Sequence, residues 1–86
     1  MKSQTDQVQT IAETLKGLIK LMVDSPDEVS ITATTDPSGA TLRLSVAPSD
    51  TGKVIGMQGR TARSLRVILG AISKTSQINI SLDIAD

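Results

Sequence analysis

The sequence predicts an α+β domain whose elements follow the order helix, strand, strand, helix, helix, strand. Two patterns support this order: three segments repeat apolar residues every three or four positions, and three others alternate apolar with polar residues. Each alternating segment is apolar on one face only, so we expect three helices to cover one face of a three-stranded mixed sheet. The 86 residues are enough for one compact domain with a modest core.

The first half of the chain predicts a helix followed by a hairpin. Residues 5–23 place apolar side chains at helical spacing, namely Val8, Ile11, Ala12, Leu15, Leu18, Ile19 and Met22. The helix should end before Pro26, because the residue that precedes a proline avoids the helical conformation. Residues 29–35 and 41–47 alternate as strands, with Val29, Ile31, Ala33, Leu42, Leu44 and Val46 inward. Residues 36–39, DPSG, suit a tight turn, so the two strands should pair antiparallel.

The second half of the chain predicts two helices around a glycine turn and then a third strand. Residues 50–55 are a short helix for which Ser49 or Asp50 is the candidate N-cap, and residues 60–73 form an amphipathic helix. Residues 74–77 are predicted as a loop, and the alternation that follows predicts a strand over residues 78–84. A right-handed crossover through the helix pair would make the last two strands parallel.

The turn GMQG, residues 56–59, is the candidate functional site. Gly56 and Gly59 permit positive φ and a close approach to the backbone, and the following helix presents unpaired N–H groups at its N-terminus. The chain is neutral overall, yet residues 51–82 hold no acidic residue and five basic ones, which are Lys53, Arg60, Arg63, Arg66 and Lys74. The pattern indicates a site for phosphate; an ordinary solvated helix face is the alternative explanation of the basic residues.

The composition excludes several classes of function. The absence of Cys and His excludes disulfides, thiol nucleophiles, imidazole bases and the usual zinc ligand sets. No nucleophile has a base beside it, so we expect neither enzymatic activity nor a cofactor, and the acidic residues near turns are explained by caps and turns better than by a metal site. The absence of aromatic residues excludes a sheet that stacks bases on aromatic rings. No apolar run could span a membrane and no signal peptide is evident, so we expect a cytoplasmic protein.

Residues 52–62, GKVIGMQGRTA, resemble the signature of KH domains, and specifically of the small single-domain bacterial proteins of the KhpA type. The similarity includes residues 25–29, SPDEV, and 46–50, VAPSD, and it covers roughly residues 8–84. It implies a type II (prokaryotic) KH fold, with residues 1–86 forming one domain whose ordered core spans about residues 6–84. It also implies a protein that holds about four nucleotides of single-stranded RNA in a groove. An RNA-chaperone or post-transcriptional role, as a homodimer or beside a KhpB-type KH protein, belongs to the same expectation.

The resemblance assigns ten residues to the RNA site. Those that would meet the sugar-phosphate backbone at the turn are Gly56, Met57, Gln58 and Gly59. Apolar groove surface would come from Val54 and Ile55. Positive charge near phosphates would come from Lys53, Arg60 and Arg63, and Lys74, in a loop that varies among such domains, would reach the other side of the groove.

Met57 departs from the family pattern, which usually has Lys at this position. The turn therefore lacks one charge that would meet phosphate, and we expect weaker or more salt-sensitive binding. A thioether also suits an adaptable apolar contact, so a KH fold that mainly binds protein or dimerises is an alternative function. Single-stranded DNA is another, because nothing in the residues decides whether a 2′-OH is recognised.

Overall fold

The computed structural model describes residues 4–85, and it contains the predicted three helices and three strands. These are α1 (Gln4–Lys20), β1 (Ser30–Asp36), β2 (Gly39–Ser45), α2 (Thr51–Ile55), α3 (Arg60–Ser76) and β3 (Ile80–Ile84). Single 3₁₀ turns occupy Pro26–Glu28, Pro48–Asp50 and Met57–Gly59. The predicted order is confirmed. The predicted domain bounds of 1–86 include residues 1–3 and 86, which lie outside the described residues.

The sheet is mixed, with β2 between β1 and β3. β1 and β2 pair antiparallel across a hairpin, and β2 and β3 pair parallel, which the crossover through the helix pair makes possible. At the hairpin, Asp36 Oδ1 accepts hydrogen bonds from the backbone N–H and the hydroxyl of Ser38 at 2.8 and 2.6 Å. These bonds hold the pKa of the Asp36 carboxyl below its usual value.

The core lies between one face of the sheet and the helices, and its apolar residues are all aliphatic. The central strand supplies Leu42 and Leu44, both fully buried. The helices contribute residues at the predicted spacing, namely Val8, Ala12, Leu15, Ile19, Ala62, Leu65 and Leu69. Because the sheet uses its inward side chains for this packing, the opposite face carries hydroxyl and charged residues, including the ion pair between Arg43 and Asp83 at 3.0 Å.

Three predictions about the bounds and faces of the elements are corrected. Ala33 was expected to face the core, but it is exposed and Ile31 is only half-buried. The reason is that β1 is an edge strand, and the helices do not cover its far end. α1 ends at Lys20 rather than near residue 23, since Leu21 and Met22 form a turn through hydrogen bonds to Leu18 and Ile19. β1 and β2 are each displaced from the predicted ranges by one or two residues.

The predicted loop over residues 74–77 is also wrong, because α3 continues through Ser76. Nothing in that segment breaks a helix, and the Ser76 hydroxyl donates to the carbonyl of Ile72 at 2.7 Å. Gln77 then ends the helix in the left-handed conformation, with φ 60°. β3 starts at Ile80, whose N–H donates to the hydroxyl of Ser73. Among the described residues, no helix is both long and apolar enough to cross a membrane.

Candidate nucleic-acid interface

The turn between α2 and α3 opens the backbone through three residues with positive φ. Gly56 has φ 78° and ψ 170°, Gln58 has φ 57°, and Gly59 has φ 73°. A Cβ on Gly56 would lie 2.8 Å from Thr61 Cβ and 2.9 Å from its backbone nitrogen, so both conformation and space require glycine there. A Cβ on Gly59 would meet only Arg63 Nη1, at 3.7 Å. Space would admit a side chain at position 59, and its left-handed conformation favours glycine without requiring it.

Met57 and Gln58 project from the turn into solvent. The Met57 side chain is 78% exposed, which places a large apolar group at the tip of the turn. Gln58 is exposed as well, and its Oε1 accepts a hydrogen bond from Arg60 Nη2 at 3.4 Å. As the first two residues of a 3₁₀ turn, Met57 and Gln58 have no acceptor within that turn for their N–H groups.

Arg60 and Arg63 bring positive charge to the same place. Both are exposed in the first turn of α3, and the Arg63 guanidinium lies beside Gly59. Within residues 4–85 neither arginine forms an ion pair with a carboxylate. Their charges are therefore available to an anion that approaches the turn.

Lys53 has a different environment, because two carboxylates already surround its ammonium group. Lys53 Nζ lies 3.0 Å from Asp24 Oδ2 and 3.8 Å from Asp50 Oδ1. The hydrogen bond and charge of Asp24, followed by the contribution of Asp50, raise the pKa of Lys53 above its usual value. The lysine thus stays charged, but its charge is partly balanced within the protein.

Asp50 was a candidate N-cap for α2, and the structure corrects that role. It occupies the N-cap position, yet its side chain makes no capping hydrogen bond. The carboxylate is completely buried and accepts the backbone N–H groups of Asp24 and Ser25 at 3.1 and 3.0 Å. It joins the segment after α1 to the start of α2. This role depends on a contact between residues 25 positions apart, so the residues next to Asp50 in the sequence could not predict it.

The remaining predicted site residues do not all gather at the turn. Val54 is fully buried and Ile55 is half-buried, so Ile55 is the one of the two that presents apolar surface beside the turn. Lys74 lies in the last turn of α3 rather than in a loop. At about 1.5 Å per residue, it is about 21 Å along the helix from Arg60. Arg66 donates to the carbonyl of Leu82 at 3.4 Å and so lies over the edge of β3.

A second surface feature, which the sequence did not reveal as a groove, runs between α1 and α3. We call it the outer groove; it is lined by Ile11, Leu18, Ile68 and Ile72 with neighbouring threonines. Leu18 is 42% exposed and Ile68 is 50% exposed. The groove continues into a cavity of about 430 Å³ that is lined mainly by apolar atoms of the two helices. The helical spacing predicted the core face of α3, but not how far apart the two helices lie.

An α-β-β-α-α-β domain with a mixed three-stranded sheet and a Gly-x-x-Gly turn between its last two helices is a type II KH domain. Residues 12–84 match the family model of the KhpA/KhpB KH domain, and the chain belongs to this family as a single KH domain of the KhpA type.

Curated relatives support the same placement. The chain is 47% identical over 62 residues to the RNA-binding protein KhpA of Streptomyces coelicolor. The aligned residues cover 72% of this chain and 78% of that protein. It is 37% identical over 72 residues to the RNA-binding protein KhpA of Leifsonia xyli, covering 84% and 95%. It is 35% identical over 74 residues to that of Listeria monocytogenes, covering 86% and 97%. Each of these three relatives is named as an RNA-binding protein.

Proposed function

We propose that the chain binds single-stranded RNA in the cytoplasm and holds about four nucleotides beside the GMQG turn. The observation that carries this proposal is the opened backbone of Gly56, Gln58 and Gly59 beside Arg60 and Arg63. These arginines form no ion pair with a carboxylate among the described residues. Gly56 lets the turn form against Thr61, the absence of a Cβ at Gly59 leaves room for the sugar-phosphate backbone, and the arginines would neutralise its charge.

The bases would lie against aliphatic surface. Ile55 is half-buried next to the turn, and Met57 adds an exposed thioether. Aliphatic contacts discriminate poorly between bases, so we expect broad sequence specificity and moderate affinity. Such binding suits an RNA chaperone or a post-transcriptional regulator that acts on many short single-stranded segments.

Titration of labelled single-stranded RNA with Gln58→Glu tests the proposal. The substitution keeps the size of the side chain and adds one negative charge at the turn, and Gln58 already has a left-handed conformation that Glu must share. We expect about a fivefold loss of affinity at low salt, because one added unit charge near a phosphate costs about 1 kcal/mol in water.

Gln77→Glu is the matched control, because Gln77 is also an exposed glutamine with left-handed backbone and lies at the opposite end of α3. The control should change affinity by less than about twofold, since its charge is more than a Debye length of about 10 Å from the turn. Equal effects of the two substitutions would show that RNA does not bind at the turn. A parallel titration with DNA of the same sequence decides whether the groove prefers one sugar.

We also propose that the outer groove mediates association with a second KH molecule, as a homodimer or with a KhpB-type partner. Ile68 and Leu18 are half-exposed there, and burying them against another aliphatic surface is favourable. None of the four GMQG residues lines the groove, so association leaves the turn itself open, although Ile68 also borders Arg60 and Arg63. Two sites of four nucleotides each would then raise the apparent affinity through effective concentration.

A further inference from the structure

The segment after α1 is tied to the start of α2 by Asp50, the one buried charged side chain among the described residues. Its two oxygens accept the N–H groups of Asp24 and Ser25. The bonds go to backbone groups, so they fix the position of the Asp24 main chain whatever its side chain does. The Asp24 main chain is consequently fixed at a place from which its carboxylate reaches Lys53 Nζ.

Two carboxylates contact the ammonium group of Lys53, and their side chains differ in how freely they can move. Asp50 is completely buried and held by two backbone donors. The Asp24 side chain is 78% exposed, and its ion pair within residues 4–85 is with Lys53, whose own side chain is 45% exposed. Asp24 can therefore rotate away into solvent at little cost, whereas Asp50 cannot.

Lys53 lies about one helical turn before Gly56, and its long, flexible side chain would turn from Asp50 toward a phosphate held at the GMQG turn. A phosphate oxygen and the Asp24 carboxylate would use the same N–H donors, and they carry the same sign of charge. On the exposed side of one ammonium these like charges repel, so phosphate and the Asp24 carboxylate compete there.

We propose that Asp24 competes with RNA phosphate for Lys53, so that RNA binding at the turn displaces the Asp24 carboxylate. This inference rests on the proposed function, and it names Asp24 as a residue that limits the affinity of the protein for RNA. Together with Met57, which supplies no charge at the turn, Asp24 leaves Arg60 and Arg63 as the cations that are available without rearrangement.

The test is RNA titration with Asp24→Asn, which keeps the side-chain shape and the backbone bond to Asp50. We expect affinity for a single-stranded RNA to rise about two- to fivefold at low salt, the range of an exposed ion pair. The gain should shrink as salt screens the charges, and the slope of log affinity against log salt should steepen by roughly 0.7, the value for one additional phosphate contact.

Two comparisons separate this competition from a general effect of net charge. Asp27→Asn removes a charge from another exposed residue, one that forms no ion pair with Lys53, and should raise affinity much less. In a Lys53→Gln background, Asp24→Asn should no longer change the affinity, because the ammonium group for which Asp24 and phosphate compete is absent. If that background does not fold, the comparison of Asp24→Asn with Asp27→Asn decides alone.

Failure of the Asp24 competition can be told apart from failure of RNA binding itself. If the natural chain binds RNA but Asp24→Asn has no effect, or has the same effect as Asp27→Asn, the competition is refuted and RNA binding stands. Persistence of the gain in the Lys53→Gln background also refutes it. If neither the natural chain nor any variant binds RNA, the proposed function fails and the competition fails with it.

Discussion

Gly56 and Gly59 belong to one motif, but they are glycines for different reasons. Gly56 combines φ 78° with an extended ψ of 170°, and its Cα faces Thr61 so closely that no side chain fits. Gly59 adopts the ordinary left-handed conformation in open space, with only the end of a flexible arginine nearby. The first glycine therefore builds the turn, and the second mainly keeps its surface accessible.

We accordingly predict unequal costs for alanine at the two positions. Gly56→Ala should lower the free energy of unfolding by about 2–4 kcal/mol, because it adds backbone strain to a clash with Thr61. Gly59→Ala should lower it by about 1 kcal/mol, the cost of a left-handed conformation. Urea denaturation of both variants measures the difference. Equal costs would contradict the crowding of Gly56 by Thr61.

The surroundings of Lys53 could not be predicted from local sequence patterns. The glycine spacing and the local excess of basic residues were visible in the chain, because both are short-range patterns. The ion pair of Lys53 with Asp24 depends on bringing together residues 29 positions apart. The burial of Asp50 likewise depends on a distant segment, so a local capping rule gave it the wrong partner.

α3 serves two surfaces at once. Its first turn carries Arg60 and Arg63 beside the GMQG turn, and its middle carries Ile68 and Ile72 along the outer groove. A helix of 17 residues is about 26 Å long, at about 1.5 Å per residue, and the two surfaces meet at Ile68, which also borders Arg60 and Arg63.

Ile68→Asp tests the role of the outer groove. If a second KH molecule covers Ile68, the buried carboxylate should weaken self-association about tenfold or more, since an unpaired charge resists burial. Sedimentation equilibrium over a range of concentrations measures the change, with circular dichroism to confirm folding. Leu21→Asp is the control, because Leu21 is 85% exposed and does not line the groove. A natural chain that stays monomeric throughout, or equal effects of both variants, would exclude the groove as the interface.

The identity and order of the elements followed from periodicity, whereas their ends did not. Alternation and helical spacing extend over many residues, so the six elements were recognisable from the chain. The end of α3 depends on Gln77 adopting a left-handed conformation, for which glutamine has no marked preference. The exposure of Ala33 depends on how far the helices extend over the edge of the sheet. Both are properties of the assembled layers.

The molecule as a whole is neutral, but its charges and apolar groups are segregated. The segment that includes the turn has no carboxylate between residues 51 and 82, and the acidic residues lie before it and after it. The apolar outer groove lies on the helical side of the domain. A neutral net charge therefore permits an RNA site on one part of the surface and a protein contact on another.

Mapping the backbone amide NMR shifts of the ¹⁵N-labelled chain during titration with a short single-stranded RNA would locate the RNA on this surface. We predict that the largest changes fall on residues 53–63, around the GMQG turn, and that residues of the outer groove such as Ile11 and Ile72 change little. Changes concentrated on the outer groove or on the hydroxyl face of the sheet, with the turn unaffected, would contradict the assignment of RNA binding to the turn.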